Sequence, residues 1–211
     1  MVKKQSNSFM SCDGKTSIHV VMWRPDENEY DKPVAVLQIS HGMIEYIDRY
    51  DGFARFMADR GFVVVGNDHL GHGESVCSDD DLGFFKDEHP GEALAKDVHH
   101  LTVLTKKMYP GIPYYLLGHS MGSFVTRKYI CDYGYELDGV IIMGTGHQPT
   151  PMVLAGKALA DITRFIKGDR YRSRLISKIM FGAYNKRIKN VRTSNDWLTR
   201  DETVVDEYNA G

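Results

Sequence analysis

The chain has 211 residues, of which 42% are apolar, and carries a formal net charge of −2. That length and balance fit one domain, or one domain with a small insertion, and the ordinary composition excludes a low-complexity chain. Cys12, Cys77 and Cys131 are an odd number without metal-ligand spacing, so they read as free thiols of a reducing compartment. Met1-Val2-Lys3-Lys4 is basic, but Gln5-Ser6-Asn7-Ser8 stands where a signal segment needs an apolar stretch. No run reaches membrane-spanning length, and a cytoplasmic protein is expected.

In chain order, Asp13-Gly14 separates two short β-prone runs, residues 8–12 and 17–23. In the second, Ile18, Val20 and Met22 alternate with His19, Val21 and Trp23, which predicts an antiparallel hairpin. Four compact apolar runs follow, at residues 34–39, 62–65, 114–117 and 140–143. Runs so rich in Val, Ile and Leu suit strands buried on both faces, as in a parallel sheet. Between them lie helical patterns. Phe53, Phe56 and Met57 share one face ahead of Gly61, and Leu94, Val98, Leu101, Thr105 and Met108 follow Pro90. A third pattern with Phe124, Tyr129 and Ile130 ends near Gly134. The order β-β-β-α-β-α-β-α-β predicts an α/β fold with a mostly parallel sheet and an antiparallel start. Beyond Thr145 no further strand is expected, and residues 152–166 and 175–184 read as amphipathic helices.

Gly118-His119-Ser120-Met121-Gly122 follows a strand run and opens a helix. In this G-x-S-x-G context the serine occupies a sharp, strained turn, and glycine two residues to either side removes a clash between strand and helix. The Met121 amide, at the helix start, would then face the oxygen that becomes negative in a tetrahedral intermediate. A second donor is expected from the strand that runs into His41-Gly42-Met43, where Gly42 lets the Met43 amide turn towards the serine. The plainer readings are a chance motif and an ordinary turn glycine; the two motifs together disfavour both.

These residues resemble the monoacylglycerol lipase and lysophospholipase group of the α/β-hydrolases. The resemblance rests on His41-Gly42-Met43-Ile44-Glu45-Tyr46 with Arg49-Tyr50, on Asp68-His69-Leu70-Gly71-His72-Gly73-Glu74-Ser75, on Gly118 to Ser123, and on Gly144-Thr145-Gly146. The first segment departs from the commoner H-G-x-G-E-H loop at Ile44 and Tyr46. The resemblance implies an α/β-hydrolase core over residues 1–146, a helical cap or lid over 147–195, and the start of a return to the core over 196–211. It implies Ser120 as nucleophile, the Met43 and Met121 amides as oxyanion hole, and His41, Gly42, Gly118, His119 and Gly122 as supports. Asp68, His69 and His72, or His99 and His100, could suggest a metal. A glycine-rich loop explains the first group, adjacent histidines point to different helix faces, and neither a metal nor a cofactor is expected.

In this fold the serine precedes the acid and the histidine in chain order. After Ser120 the one histidine is His147, and Asp196, Asp201 and Asp206 lie in polar sequence with no strand before them. Two readings compete: an upstream histidine such as His41 or His119 serves as base, or the strands that carry the acid and base are missing. The second is simpler, and it predicts poor hydrolysis by this chain and an open apolar sheet edge at residues 140–143 through which copies self-associate.

Residues 157–192 hold eleven Lys and Arg against Asp161 and Asp169, giving 11 − 2 = +9 and leaving −2 − 9 = −11 elsewhere. Leu154, Leu159, Ile162, Phe165 and Ile166 form an apolar stripe beside that charge. A surface for anionic lipid at the inner membrane face and a plain solvated basic face are equally compatible with it. Nucleic acid is not expected, because aromatic platforms are not interleaved with the charge. The expected activity is serine-dependent hydrolysis of a small lipid monoester, a monoacylglycerol or lysophospholipid. The alternative is a non-catalytic lipid- or partner-binding module on a hydrolase scaffold.

Overall fold

The computed structural model describes residues 1–85 and 89–210. The chain divides into two compact units, Met1–His147 and Gln148–Gly211.

The first unit is a six-stranded sheet with helices. Its strands are β1 (Lys3–Met10), β2 (Ser17–Arg24), β3 (Ala35–Ser40), β4 (Phe62–Asn67), β5 (Tyr114–His119) and β6 (Gly139–Met143), in the spatial order β1-β2-β4-β3-β5-β6. The β3–β4, β3–β5 and β5–β6 pairs are parallel, while β1–β2 and β2–β4 are antiparallel. The expected mostly parallel sheet with an antiparallel hairpin at its start is therefore present. Alternate side chains feed two cores. Ile18, Val20, Met22, Val36, Val63, Val65 and Leu116 pack on one face with α2 (Pro90–Met108) and α3 (Met121–Tyr133). Val21, Trp23, Leu37, Ile39, Val64 and Leu117 pack on the other with α1 (Asp51–Ala58). Period-two alternation explains why successive residues of β2 belong to different cores.

One strand boundary needs correction, and two expected helices show which of their residues face the sheet. β1 begins at Lys3, earlier than the apolar pattern indicates, because it is an edge strand whose residues are almost all exposed. A strand with no buried face needs no apolar alternation, and Lys is a residue that suits an edge. In α1 the buried residues are Ala54 and Ala58, whereas Phe53 and Phe56 are exposed. In α3, Val125, Thr126 and Tyr129 are buried and Phe124 is exposed. In α1 the close approach to the sheet is made by small side chains, whereas α3 also buries the large ring of Tyr129.

Gln38 is the polar exception inside β3. It is fully buried, its amide donates to the Val98 carbonyl at 2.9 Å, and its Oε1 accepts from Thr102 at 2.7 Å and Tyr114 at 2.5 Å. Every one of those partners is internal, so the burial is satisfied.

The second unit contains α4 (Thr150–Lys167), α5 (Arg174–Phe181) and α6 (Glu202–Ala210), and no strand follows β6 among the described residues. Ser173 caps α5 by accepting from the Ile176 amide. Among the described helical residues of this unit only Val205 is buried.

Candidate active site

β5 passes into α3 through a single residue, Ser120, whose φ of 51° and ψ of −115° are rarely adopted by a residue with a side chain. Hydrogen bonds hold it there. The Ser120 amide donates to the Met143 carbonyl at 3.0 Å, and its own carbonyl accepts from the Ser123 amide at 3.0 Å and the Ser123 hydroxyl at 2.6 Å.

The two flanking glycines have separate reasons. A Cβ on Gly118 would meet the Gly122 carbonyl oxygen at 2.5 Å and crowd the Thr126 hydroxyl, so it would strike α3. A Cβ on Gly122 would strike the end of β3 instead, at the Ser40 carbonyl and, at 2.5 Å, the His41 carbonyl oxygen. Glycine at both positions lets helix, Ser120 bend and neighbouring loop share one small volume.

The loop after β3 lies against that bend. A Cβ on Gly42 would lie 3.3 Å from the Ser120 Cβ. Ile44 then takes a φ of 58°, an uncommon conformation for a β-branched residue and the point where the commoner loop has glycine. Met43, between them, is partly exposed, and Met121 is the first residue of α3, where an amide has no acceptor within its own helix.

The histidines have definite tasks. His41 is completely buried; its Nε2 accepts from the His69 amide at 2.9 Å, so its proton is on Nδ1, which donates to the Gly42 carbonyl at 2.7 Å. Burial holds the imidazole neutral, with its pKa lowered to about 4. His69 and His72 are also pushed down, first by burial, and the three rings cluster at centroid separations of 4.3, 5.5 and 6.5 Å. His41 spends both nitrogens on backbone groups and His72 Nδ1 lies 3.2 Å from the Leu70 carbonyl, so the cluster braces loops. Asp68 adds to that bracing by accepting from the Ile47 amide at 2.7 Å and the Glu74 amide at 2.9 Å.

Sequence reasoning gave no role to Glu45 and Tyr50, although both stand in the motif. Glu45 Oε2 accepts from the Gly42 amide at 2.9 Å and the Tyr50 hydroxyl at 3.1 Å, and lies 3.5 Å from His119 Nδ1. His119 Nδ1 is 3.2 Å from the Tyr50 oxygen. The hydrogen bond to Glu45 raises the His119 pKa above its usual value. Burial alone would push the Glu45 carboxyl up, but the His119, Gly42 and Tyr50 contacts outweigh it and hold it low. Tyr50 is pushed far up by burial and by the Glu45 charge, so it remains a neutral donor. Only the fold brings a loop residue of β3 beside the residue preceding Ser120, and local pattern carries no sign of that pairing.

The later acidic residues are engaged locally in the second unit. Asp196 accepts from Thr193 and the Arg192 amide, Asp201 from the Thr203 amide, and Asp206 pairs with Arg192. His147 is exposed at the end of the first unit.

The sequence model of the family described as Serine aminopeptidase, S33 matches residues 31–211. The monoglyceride lipase homolog of Monkeypox virus is 33% identical over 153 residues, covering 69% of this chain and 51% of that protein. The monoglyceride lipase of Homo sapiens is 26% identical over 188 residues, covering 89% of this chain and 54% of its own length. Among solved structures, a thermostable carboxyl esterase from Bacillus coagulans in complex with glycerol superposes with a TM-score of 0.85 at 29% identity, over 98% of this chain and 65% of that one. The chain thus spans about half the length of the curated relatives it matches. With the sheet order, the strained serine bend and these likenesses together, the chain belongs to the α/β-hydrolases, in the family described as Serine aminopeptidase, S33, and is monoacylglycerol lipase-like.

Proposed function

We propose that this chain carries the nucleophile half of a serine hydrolase for small lipid monoesters, with Ser120 attacking the ester carbonyl. The observation that carries this reading is the left-handed backbone of Ser120 at a strand-to-helix junction, with the Gly42 backbone packed against it. The Met121 and Met43 amides are assigned to the oxyanion, one from each side of the bend. An ester is favoured over a peptide because the relatives are named monoglyceride lipases and an esterase, although the family description names a peptidase.

This reading leaves the proton relay around Ser120 without an assigned base. Among the described residues no imidazole is hydrogen-bonded to its hydroxyl, and His41 is neutral with both nitrogens occupied. An oxyanion hole and binding without a full triad leave on the order of 10³–10⁴ over water. The expected result is slow hydrolysis of p-nitrophenyl butyrate, with phosphonylation at Ser120 by excess fluorophosphonate that is absent in Ser120→Ala. A chain that labels no faster than its denatured form would instead be the non-catalytic binding module. Ordinary enzymatic turnover lost in Ser120→Ala would refute the incomplete relay.

Two partners follow from surface chemistry. In α4, Leu154, Ile162, Phe165 and Ile166 are all more than half exposed, within a segment of net charge +9, which suits peripheral binding to anionic lipid. At the sheet edge, Val140, Ile141, Ile142 and Met143 are 36–47% exposed, which suits pairing with a second copy.

A further inference from the structure

Ile44 and Gly42 pose a question of energetics. A β-branched residue in the left-handed region costs on the order of 1–2 kcal/mol and persists only where its surroundings dictate it. The neighbouring residue supplies the constraint. Glu45 folds back so that its carboxylate accepts from the Gly42 amide, closing a short ring around Met43 and Ile44. A Cβ on Gly42 would lie 2.7 Å from that same oxygen, so a side chain there would have to displace the clasping carboxylate. The clasp is anchored on two further elements. Tyr50, just before α1, donates to the carboxylate, and His119, the last residue of β5, donates to the Tyr50 oxygen and faces Glu45 across 3.5 Å. Glu45 therefore joins the loop after β3 to the residue that directly precedes Ser120.

We propose that Glu45 is a positioning residue of the site: by clasping the Gly42 amide and pairing with His119 through Tyr50, it holds the Met43-bearing turn, strained at Ile44, in place beside Ser120. This rests on the reading of Ser120 as nucleophile. Glu45 touches no reacting atom. Its effect is to keep two peptide donors on one rigid unit, and a displacement of about 1 Å in such a donor can cost 10²-fold in rate. Neutral Gln in its place keeps an acceptor for Gly42 but loses the charge that faces His119. Glycine at position 44 removes the strain that the clasp opposes.

The experiment compares the full chain with Glu45→Ala, Glu45→Gln, Ile44→Gly and the double variant Ile44→Gly with Glu45→Ala. Fluorophosphonate labelling of Ser120 is resolved into maximal rate and half-saturating concentration. Glu45→Ala should lower the maximal rate by about 10²-fold with little change in half-saturation, Glu45→Gln should lose much less, and the double variant should recover at least tenfold. In parallel, NMR follows amide exchange at Gly42 and Met43 and the titration of the His119 imidazole, whose Nδ1 also lies 3.2 Å from the Tyr50 oxygen. The Gly42 amide should be protected in the parent and in Glu45→Gln but open in Glu45→Ala, and the His119 midpoint should fall in both. Labelling unchanged by Glu45→Ala, or a double variant no better than Glu45→Ala, would overturn the proposal. An unlabelled parent chain would remove the nucleophile reading instead, and the NMR arms would still judge the clasp: a His119 midpoint indifferent to Glu45→Gln would overturn it.

Discussion

The carbonyl oxygen of Ser40 occupies the space that a side chain on Gly122 would need. The end of β3 and the first turn of α3 approach backbone to backbone, and the Ser120 bend lies beside that contact. Both clashing atoms on the β3 side belong to backbone, so neither can swing aside.

Gly122→Ala should therefore destabilise the chain by about 3 kcal/mol or more, as overpacking against backbone does. Gly156, inside α4, has nothing within 4 Å of its added Cβ, so Gly156→Ala should stabilise by up to about 1 kcal/mol. Urea unfolding of the two variants beside the parent checks both signs.

Acid should weaken the fold through His41. Its folded pKa is about 4 against an ordinary 6.5, so the unfolded chain binds the extra proton first, and stability drops as pH falls from 6.5 towards 4. The shift corresponds to roughly 3 kcal/mol. His119 acts in the opposite sense: its contribution is complete below 6.5 and is lost as pH rises through its raised value. The destabilisation caused by His41→Asn should be largest near neutrality and shrink by about that amount at pH 4, as read from unfolding free energies across pH.

Replacing Gln38 by Leu leaves the fully buried Tyr114 hydroxyl without its 2.5 Å acceptor, whereas Thr102 keeps the Val98 carbonyl at 3.1 Å. The expected cost is about 1–3 kcal/mol. Adding Tyr114→Phe should recover part of it, and a double-mutant cycle in chemical denaturation measures the coupling.

If the β6 edge pairs copies, Ile141→Lys should shift the chain towards monomer in concentration-dependent light scattering, since a charge on an open edge discourages strand addition. A parent chain that stays monomeric at every concentration would dispose of the pairing.

The basic segment makes a separate prediction for lipid. Vesicle co-sedimentation should increase with anionic lipid content and decline with added salt, because the attraction is screened over about 10 Å at 0.1 M. Binding indifferent to both would leave the segment as a solvated face.

Much of this molecule was legible in one dimension. The inner strands declare themselves because burial on both faces demands unbroken apolar runs, and the Ser120 bend does so because only glycine tolerates the neighbours at 118 and 122. The identity of those neighbours was not legible. The backbone that excludes a side chain at Gly122 is about 80 residues away in sequence, as is the hydroxyl of Ser40 that bonds Gly122 at 3.3 Å. Edge strand β1 leaves no apolar alternation because its residues are almost all exposed, and spacing alone does not say that Ala54 and Ala58 of α1, or Val125, Thr126 and Tyr129 of α3, face the core. Residue type and spacing thus determined which serine, which glycines and which strands; the tertiary structure decided that Glu45, Tyr50 and His119 meet, since charge pairing depends on distances in space that local periodicity does not encode.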